Sequence, residues 1–351
     1  MPWIRKAAIR FNVIDQPNAR KVHSTPIPLM GGLAIVIGTG LATIVFHGGV
    51  VPTTTLGALA AGAVVAIIGL MDDKRALSAR VRLLVQAAAV GILIYAGIKV
   101  QFSSTPAWVD MGLTFLWVIG VTNAINLMDN MDGLAAGVAA VAAAYIAVIA
   151  VSTGQFLISG LASVLFGACL GFLYFNFPPA TIFMGDSGAY FLGFWLSVLA
   201  LRLRFTHEVG HATWLVPILV LAVPLFDTTF VVFSRLARGI HPFTPGKDHL
   251  SHRLVNLGFD KRSAVLVLYL FQCGLGSLAF VVQSLTREET WCLVGILVGL
   301  ALIIGLRLQK MGLPETPPKP HKETVESSQV DEMQEQKAPE QELEGDLSSR
   351  V

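Results

Sequence analysis

Long runs of apolar residues alternate with short polar connections along most of this chain. The runs approach the length of about 20 helical residues that is needed to cross roughly 30 Å of bilayer hydrocarbon. Glycine and alanine are frequent within them, and small residues let membrane helices pack closely. The pattern predicts ten transmembrane helices, at residues 30–48, 55–71, 83–100, 107–125, 133–151, 156–176, 187–201, 213–233, 263–284 and 290–309.

Composition supports a membrane protein. Hydrophobic residues make up 54% of the sequence and charged residues 14%, whereas ordinary soluble domains are about 25% charged. The mean hydropathy is +0.66. A single soluble core cannot bury that much apolar surface, but a bilayer can. We therefore predict an all-α integral membrane protein, a polytopic helical bundle of about ten transmembrane helices.

Charge and composition divide the chain into three parts. Residues 1–29 form a polar, basic N-terminal segment without the apolar stretch of a cleavable signal peptide. Residues 30–312 form the predicted transmembrane catalytic domain. Beyond Pro314 the chain is rich in Glu, Gln, Pro and Ser, with ten acidic residues against four basic ones. We expect residues 313–351 to form a disordered acidic tail.

Lysine and arginine are unevenly divided between the two sets of connections. Fifteen lie in the N-terminal segment and in the connections near residues 74–82 and 234–262, whereas the other connections hold Lys99, Arg202, Arg204 and Arg287. Cytoplasmic loops carry the excess of positive charge in membrane proteins. We therefore expect a multi-pass membrane protein with these cation-rich connections and the tail on the cytoplasmic side.

The acidic clusters all fall on the predicted cytoplasmic side. Asp72 and Asp73 close the second span, and four cations follow them between residues 74 and 82. The carboxylate pair is a candidate general base, and the cations offer a seat for a phosphate. The alternative is a charged stop at the membrane surface.

A second cluster lies where the fourth span ends. Asn126, Asp129 and Asp132 are spaced three residues apart, so their side chains share one face of a helix. Three oxygen-bearing side chains on one stripe suit a hard cation and its phosphate ligands, although a simple interfacial cap is the alternative.

A third cluster, FMGDSG at 183–188, places Asp186 between two glycines at the start of another span. Glycine lets a backbone approach a ligand closely, and the amides of a helix N-terminus can hold an anion. The alternative is that Asp186 only caps the helix.

Histidines mark the longest internal connection. His241, His249 and His252 lie there among several cations, which suits phosphate contact or proton transfer; a solvated basic loop is the alternative. Asp227 lies inside a predicted span, where a charge is costly, and Asn176 lies at the end of another. For these two residues, catalysis and a structural hydrogen bond both remain open.

Together the clusters contain carboxylate, guanidinium and imidazole groups but no cysteine or serine nucleophile motif. This inventory fits Mg²⁺-assisted transfer between phosphates, in which the protein positions the reactants and neutralises charge.

Five motifs occur in order along the chain: DQPNARKVHSTPIPLMGG at 15–32, MDDKRALSAR at 71–80, NAINLMDNMDGLAAG at 123–137, FNFPPATIFMGDSGAYFLG at 175–193 and HLSH at 249–252. They resemble the motifs of the polyprenyl-phosphate N-acetylhexosamine-1-phosphate transferases, glycosyltransferase family 4. The HLSH loop resembles the spaced histidines of the undecaprenyl-phosphate GlcNAc-1-phosphate transferase branch. The phospho-MurNAc-pentapeptide transferases carry three adjacent histidines there instead.

The resemblance implies an Mg²⁺-dependent reaction between two substrates. The phosphate of undecaprenyl phosphate would attack the β-phosphate of a UDP-N-acetylhexosamine, in the first place UDP-GlcNAc, and release UMP. Mg²⁺, with Mn²⁺ as a substitute, would bridge the donor pyrophosphate. The lipid-linked product would begin a cell-envelope polysaccharide such as lipopolysaccharide or teichoic acid.

The resemblance also implies roles for individual residues. Asp186 would bind the metal directly, with Asn126 beside it. Asp72 would deprotonate or orient the lipid phosphate, Asp73 would support Asp72, and Asp129 would hold the phosphate network. The uridine pocket would comprise Asn130, Met131, Asp132 and Phe183, with the Phe183 ring stacked on uracil. Contacts to phosphates or sugar would come from Lys21, Arg80, Arg82, His249 and His252.

The chain departs from the family pattern at three points. Ser251 stands where this branch usually has histidine, and Asn130 stands where glycine is common. Family members also carry a further apolar span before the first motif, whereas about a dozen residues precede it here.

Other functions agree less well with the sequence. A transporter of anions or lipids would bind its substrate near mid-membrane, whereas these clusters lie at span ends. A phospho-MurNAc-pentapeptide transferase remains the alternative enzyme, and a membrane scaffold would not need the acidic motifs. The expected partners are the nucleotide sugar, undecaprenyl phosphate and membrane lipid; a homodimer is compatible with the sequence, and we expect no nucleic-acid partner.

Overall fold

Helices account for nearly all of the ordered architecture. The structure, a computed structural model, describes residues 1–11, 13–15, 26–102, 105–205, 213–242, 244 and 246–310. Within these residues the helices are α1 (Pro2–Arg10), α2 (Gly31–Phe46), α3 (Thr53–Lys74), α4 (Ala79–Tyr95), α5 (Ala107–Met128), α6 (Leu134–Ser152), α7 (Phe156–Asn176), α8 (Gly185–Arg202), α9 (Leu215–Val220), α10 (Ala222–Ala237), α11 (Leu250–Asn256), α12 (Lys261–Val282) and α13 (Arg287–Lys310). The described chain is therefore mostly helical, in agreement with the predicted helical class.

Two short strands precede α2. β1 (Ile14–Asp15) and β2 (Ile27–Pro28) pair antiparallel, with Ile14 opposite Pro28. The chain after β2 is then tied to the segment before α8, because Phe183 N–H donates to the Pro28 carbonyl at 2.9 Å and Gly32 N–H donates to the Met184 carbonyl at 2.8 Å. These bonds bring the start of α2 beside the start of α8.

Helix α8 lies at the centre of the bundle. Every residue from Ser187 to Ala200 is buried, and the helix packs against α2, α3 and α5. A helix that is apolar on all sides is expected at the core of a bundle. Around this centre, α6 packs on α7 and α12, and α4 packs on α3 and α5.

Glycines allow the close approach of helices at the start of α8. A Cβ on Gly32 would overlap the Cα of Gly188, and a Cβ on Gly69 would lie 2.5 Å from the Cα of Ser187. Backbone therefore packs directly on backbone at these two crossings, as small residues permit in membrane helices. The start of α2 and the C-terminal part of α3 are thus fixed against the first turn of α8, residues 185–188.

Fewer helices qualify as membrane spans than the sequence predicted. In the described part of the chain, six helices are long and apolar enough to cross a membrane: α3, α5, α6, α7, α12 and α13. Helix α2 is apolar but has only 16 residues, and α4 has 17 with two arginines in its first turn. The protein is a multi-pass membrane protein, but the count of ten spans is not confirmed.

The predicted span 213–233 is wrong as a single helix. It consists of α9 and α10, which are separated at Leu221. Proline has no N–H, so Pro224 cannot donate the helical bond to the Val220 carbonyl. Gln272 of α12, fully buried, repairs the break: its Nε2 donates to the Val220 carbonyl at 2.6 Å, and its Oε1 accepts from Val223 N–H at 3.3 Å.

The structure describes only part of the predicted N-terminal segment and none of the predicted C-terminal tail. The predicted N-terminal segment 1–29 contains α1 and both strands in its described residues. Its basic motif residue Lys21 lies outside the described residues, and so does the whole of the predicted tail 313–351.

Candidate active site

Three helix ends meet where the acidic motifs lie. Asp72 and Asp73 are in the last turn of α3, Asn126 is in the last turn of α5, and Asp186 is in the first turn of α8. Because α8 packs against both α3 and α5, these side chains come together at one end of the bundle. The geometry therefore unites three motifs that are up to 114 residues apart in sequence.

Asp73 caps the N-terminus of α8. Its Oδ1 accepts from Asp186 N–H at 2.7 Å, and its Oδ2 accepts from Ser187 N–H at 3.3 Å. These are amides that a helix leaves without an intrahelical partner. Gly185, with φ +73°, permits this approach, because a Cβ there would lie 2.6 Å from Asp73 Oδ2. Asp73 thus supports Asp186 through its backbone, whereas the sequence predicted that it would support Asp72.

Asp186 is held by the amide of Asn126. Asn126 Nδ2 donates to Asp186 Oδ1 at 2.7 Å. The Asp186 carboxyl group also shares a side-chain hydrogen bond with Asp72, whereas Asn126 Oδ1 accepts no hydrogen bond from any described residue. A carboxylate and an amide oxygen, both hard ligand atoms, thus lie on neighbouring side chains.

Asp72 is 8% exposed and lies in a group of three donors. Its Oδ1 accepts from Leu77 N–H at 2.7 Å, and its Oδ2 accepts from Arg82 Nη1 at 3.0 Å and from the Tyr190 hydroxyl at 3.3 Å. The carboxylate also interacts electrostatically with Asp186. Asp72 is therefore the link between Arg82 and the Asp186 cluster.

Tyr190 was not among the predicted site residues, although its spacing from Asp186 in the sequence could have indicated it. It follows Asp186 by four residues, so the two side chains share one face of α8. Its hydroxyl also accepts from Arg82 Nη1 at 3.3 Å. A buried tyrosine that contacts both members of an ion pair fixes the geometry of that pair.

Asp129 is a half-buried carboxylate just after α5. Burial, together with the negative charges of Asp186, Asp73 and Asp132, raises the pKa of Asp129 to about 8. No described residue donates a hydrogen bond to its side chain. The cluster therefore holds more negative charge than its own donors neutralise, and a bound cation would relieve this excess.

The connection from α7 to α8 is anchored by two polar side chains. Asp132 Oδ2 accepts from Ala180 N–H at 3.0 Å. Asn176, which is 3% exposed, donates to the Ile182 carbonyl at 2.9 Å and accepts from Gly133 N–H at 3.0 Å. The open question about Asn176 is therefore decided in favour of a structural hydrogen bond. Both side chains fix the segment that carries Phe183.

The connection that carries His249 and His252, called the histidine loop below, is joined to α10 by the buried Asp227. Asp227 Oδ2 lies 2.7 Å from His249 Nδ1, and Asp227 Oδ1 accepts from Leu250 N–H at 2.7 Å. A carboxylate at Nδ1 fixes the imidazole tautomer and leaves Nε2 for a second partner. Asp227 is thus a positioning residue for His249, a pairing that the sequence left open.

A buried ion-pair network holds the preceding part of this loop. Asp248 accepts from Arg235 Nη2 at 2.6 Å and from Arg238 Nη2 at 3.0 Å. Burial alone would raise the pKa of Asp248, but the bonds and charge of Arg235 lower it to about 2. Burial and the nearby charges of His249 and Lys247 lower the pKa of His252 to about 4, so that His252 is neutral at pH 7.

The histidine loop also contacts the NMDG segment after α5, residues 130–133, directly. Ser251 Oγ donates to Asn130 Oδ1 at 2.6 Å, and Asn130 Nδ2 donates to the Leu127 carbonyl at 3.0 Å. The two positions at which the sequence departs from the family pattern are therefore bonded to each other. Serine and asparagine form a neutral bridge between the two loops.

Other predicted residues are less closely connected. Arg80 is exposed near the start of α4 and has no hydrogen bond or ion pair among the described residues. Met131 is half-buried against the core, and His252 is half-buried in α11. Their roles in substrate contact stay predictions.

The donor set fits a hard divalent cation that shares its coordination with substrate. Among the described residues, no group of three or more His, Cys, Asp or Glu side chains is arranged to hold a metal ion. Mg²⁺ usually binds to one or two protein carboxylates and completes its shell with water and substrate phosphates. The Asp186 carboxylate and the neighbouring Asn126 Oδ1 provide such a partial site.

Comparison with known proteins identifies the family. The family model described as "Glycosyl transferase family 4" matches residues 55–204, a range that contains Asp72, Asp73, Asn126, Asp129 and Asp186. A Bacillus subtilis protein named "Probable undecaprenyl-phosphate N-acetylglucosaminyl 1-phosphate transferase" is 38% identical over 306 residues, which cover 85% of each chain. The chain belongs to glycosyl transferase family 4.

Two further relatives align with this family 4 member over similar fractions of its length. A Mycolicibacterium smegmatis decaprenyl-phosphate N-acetylglucosaminephosphotransferase is 32% identical and covers 87% of the chain and 84% of its own length. An Escherichia coli undecaprenyl-phosphate alpha-N-acetylglucosaminyl 1-phosphate transferase is 29% identical, covering 83% and 82%. The resemblance seen in the five motifs is thus confirmed.

Proposed function

We propose that this protein transfers GlcNAc 1-phosphate from UDP-GlcNAc to undecaprenyl phosphate. A phosphate oxygen of the lipid forms a bond to the β-phosphorus of the nucleotide sugar. The bond from that phosphorus to the bridging oxygen breaks, and UMP leaves with the electron pair. The products are UMP and a lipid-linked pyrophosphoryl GlcNAc.

One observation carries this proposal: Asp72, Asp186, Asn126 and Arg82 are joined by hydrogen bonds at one end of the bundle. Phosphoryl transfer depends on positioning and charge neutralisation, and this group offers both signs of charge around free oxygen atoms. The names of the relatives indicate the substrates, since each contains a polyprenyl phosphate and N-acetylglucosamine.

Asp186 and Asn126 would hold Mg²⁺, or Mn²⁺ in its place. When bound, the ion would neutralise the charge of the donor pyrophosphate and stabilise the charge that develops on the leaving phosphate. Asp73 keeps Asp186 in place through the two amides of the α8 N-terminus. Asp129, without a donor of its own, faces the same cluster and orders the phosphate network.

Asp72 and Arg82 would serve the acceptor. Arg82 offers further N–H donors to the lipid phosphate while Asp72 holds its Nη1, and Asp72 takes or orients the remaining phosphate proton. Both lie near the ends of α3 and α4, where the headgroup of a membrane lipid can reach. The site therefore combines a soluble donor with an acceptor anchored in the bilayer.

The predicted orientation becomes part of the proposal. With the cation-rich connections inside, the site faces the cytoplasm of the bacterial plasma membrane, where nucleotide sugars are made. Ten spans would be reached if α2, α4, α8 and the α9–α10 pair crossed the membrane in addition to the six long apolar helices.

A radiolabel assay tests the function. Full-length purified protein is incubated with undecaprenyl phosphate, Mg²⁺ and labelled UDP-GlcNAc or labelled UDP-MurNAc-pentapeptide, and label is followed into the lipid phase. We expect lipid-linked label and stoichiometric UMP from UDP-GlcNAc only. If only UDP-MurNAc-pentapeptide gave product, the protein would be a phospho-MurNAc-pentapeptide transferase. If neither donor gave product, the proposed transferase activity would be refuted.

Mg²⁺ is expected to stabilise the protein more at pH 8 than at pH 5. In the folded state Asp129 keeps its proton up to about pH 8, whereas in the unfolded chain it loses the proton near pH 4. Without a cation, stability therefore falls as pH rises from about 4 to 8. Mg²⁺ at 100 times its dissociation constant would add about 2.7 kcal/mol, and most of this gain requires ionised carboxylates.

Thermal unfolding measures this effect without any substrate. Full-length protein is melted with Mg²⁺ or with K⁺ at matched ionic strength, at both pH values. An equal shift in melting temperature at pH 5 and pH 8, or no shift that exceeds the K⁺ control, would contradict the predicted cation site.

Asp227→Asn is expected to weaken binding of the nucleotide sugar by roughly 10- to 100-fold, since a hydrogen bond to a charged group contributes about 1.5–3 kcal/mol. Asparagine can still accept from Leu250 N–H, but it cannot fix the His249 tautomer. The KM for UDP-GlcNAc and a pH profile of turnover report the change.

Arg238→Gln is the matched control for Asp227→Asn. It alters the same loop through Asp248 but leaves the Asp227–His249 pair in place. Equal losses in the two variants would show that Asp227 acts only by holding the loop together, and an unchanged pH profile in Asp227→Asn would remove its positioning role.

A further inference from the structure

A pocket lies at the opposite end of the bundle from the candidate active site. Its volume is about 560 Å³, within the range of small-molecule sites. Its walls come from the start of α3, the connection after α4, the start of α7 and the end of α8. The pocket is about 25 Å from the active-site carboxylates, which lie at the other ends of α3 and α8.

Three cations line this pocket. Lys99, Arg202 and Arg204 all contribute to the wall, and no carboxylate does. Lys99 and Arg202 are half-buried, and none of the three forms an ion pair within the described residues. A partly buried charge is costly without a counter-ion, so this arrangement favours a bound anion.

The sequence makes this convergence unusual. Only four lysines or arginines fall in the connections predicted at this end of the bundle, since such charge is disfavoured on the translocated side of a membrane protein. Three of the four line one pocket. The fourth, Arg287, is exposed at the start of α13 and does not line it.

The N-terminal end of a helix also borders this pocket. Phe156, Leu157 and Ile158, the first residues of α7, form part of the wall. Their N–H groups have no intrahelical acceptor, and the positive end of a helix attracts anions. The wall is fixed by Gln155, which donates to the Arg204 carbonyl at 2.7 Å and accepts from Arg204 N–H at 2.8 Å.

We propose that the pocket formed by Lys99, Arg202 and Arg204 binds a phosphate group. The phosphate comes either from the headgroup of an anionic phospholipid or from free phosphate in solution. Apolar wall residues such as Ile98 and Leu201 offer contacts to the carbons of a lipid. The proposal does not depend on the transferase function, because it concerns the other end of the bundle.

Binding measurements on the full-length protein test the proposal. Delipidated protein is titrated with phosphatidylglycerol, with diacylglycerol as the phosphate-free lipid, and with inorganic phosphate; native mass spectrometry and calorimetry report binding. The variants are Arg204→Gln and Lys99→Gln/Arg204→Gln. They spare the bond from Arg202 Nη1 to Thr55, so that the helix ends stay joined. Arg287→Gln is the matched control.

We expect phosphatidylglycerol affinity to fall roughly tenfold or more for each lost cation and to stay unchanged in Arg287→Gln. The same dependence for inorganic phosphate, without preference for the lipid, would assign a free phosphate site. Equal binding by wild type and all variants would overturn the proposal, and so would binding of diacylglycerol as tight as that of phosphatidylglycerol.

Discussion

Asp186→Asn is expected to reduce turnover by roughly 10³-fold or more while the protein stays folded. A metal ion stabilises the charge of a phosphoryl transition state by several kcal/mol, and about 4 kcal/mol corresponds to a factor of 10³ in rate. Asparagine keeps the size of the side chain, and the Asp186 N–H still donates to Asp73. The loss therefore reports the charge of one carboxylate.

Turnover, Mg²⁺ dependence and melting temperature are measured together for this variant. Asp110→Asn is the matched control, because Asp110 is also a buried carboxylate, 8% exposed, in the first turn of α5 at the end away from Asn126. Asp186→Asn should lose its thermal shift with Mg²⁺, whereas Asp110→Asn should keep it. Activity of Asp186→Asn within tenfold of wild type would refute the metal-binding role.

Asp72→Asn is expected to reduce turnover by roughly 10²- to 10⁴-fold, the usual contribution of a positioned acid or base. Leu77 N–H, Arg82 and Tyr190 all donate to Asp72. An asparagine must direct its own NH₂ group at one of these donors. The substitution therefore removes a proton acceptor and also displaces Arg82.

A double-mutant cycle separates these two effects. If Asp72 acts only by holding Arg82, Asp72→Asn/Arg82→Gln should be no worse than either single variant. If Asp72 also takes the proton, Asp72→Asn should lose more than Arg82→Gln, and its turnover should lose the pH dependence of the wild type. Tyr190→Phe, which removes one donor, should lose less than tenfold. Activity of Asp72→Asn near the wild-type level would refute both roles.

The helical class was predictable because bilayer thickness imposes a length on apolar runs. The number of spans was not, because length and hydropathy do not reveal where a run is interrupted. The region 213–233 illustrates this: Pro224 breaks the helix, and the break is tolerated because Gln272, some fifty residues later, accepts and donates the missing bonds.

The position of the candidate site was also predictable, since Asp72, Asn126 and Asp186 each end or begin an apolar run. Their partners were not. Asp73 was predicted to support Asp72 but caps α8 instead, because the Gly69 crossing brings the two backbones into contact. Asp227 gained His249 as its partner because the start of α11 lies beside α10, where Leu250 N–H also donates to Asp227.

Charge placement gave information beyond orientation. The same count that predicted a cytoplasmic face identified Lys99, Arg202 and Arg204 as exceptions, but only the folded chain places them around one pocket. Sequence spacing cannot reveal this, since Lys99 lies in a different connection from Arg202 and Arg204.

By itself, the sequence determined the membrane class, the helical content, the family and the end of each helix that carries polar chemistry. These features depend on local composition and on motifs of a few residues. The tertiary structure decided which partner each polar side chain has, as with Asp73 and Asp186, 113 residues apart. Such contacts arise only when glycine crossings and buried helix faces fix how close two backbones can come.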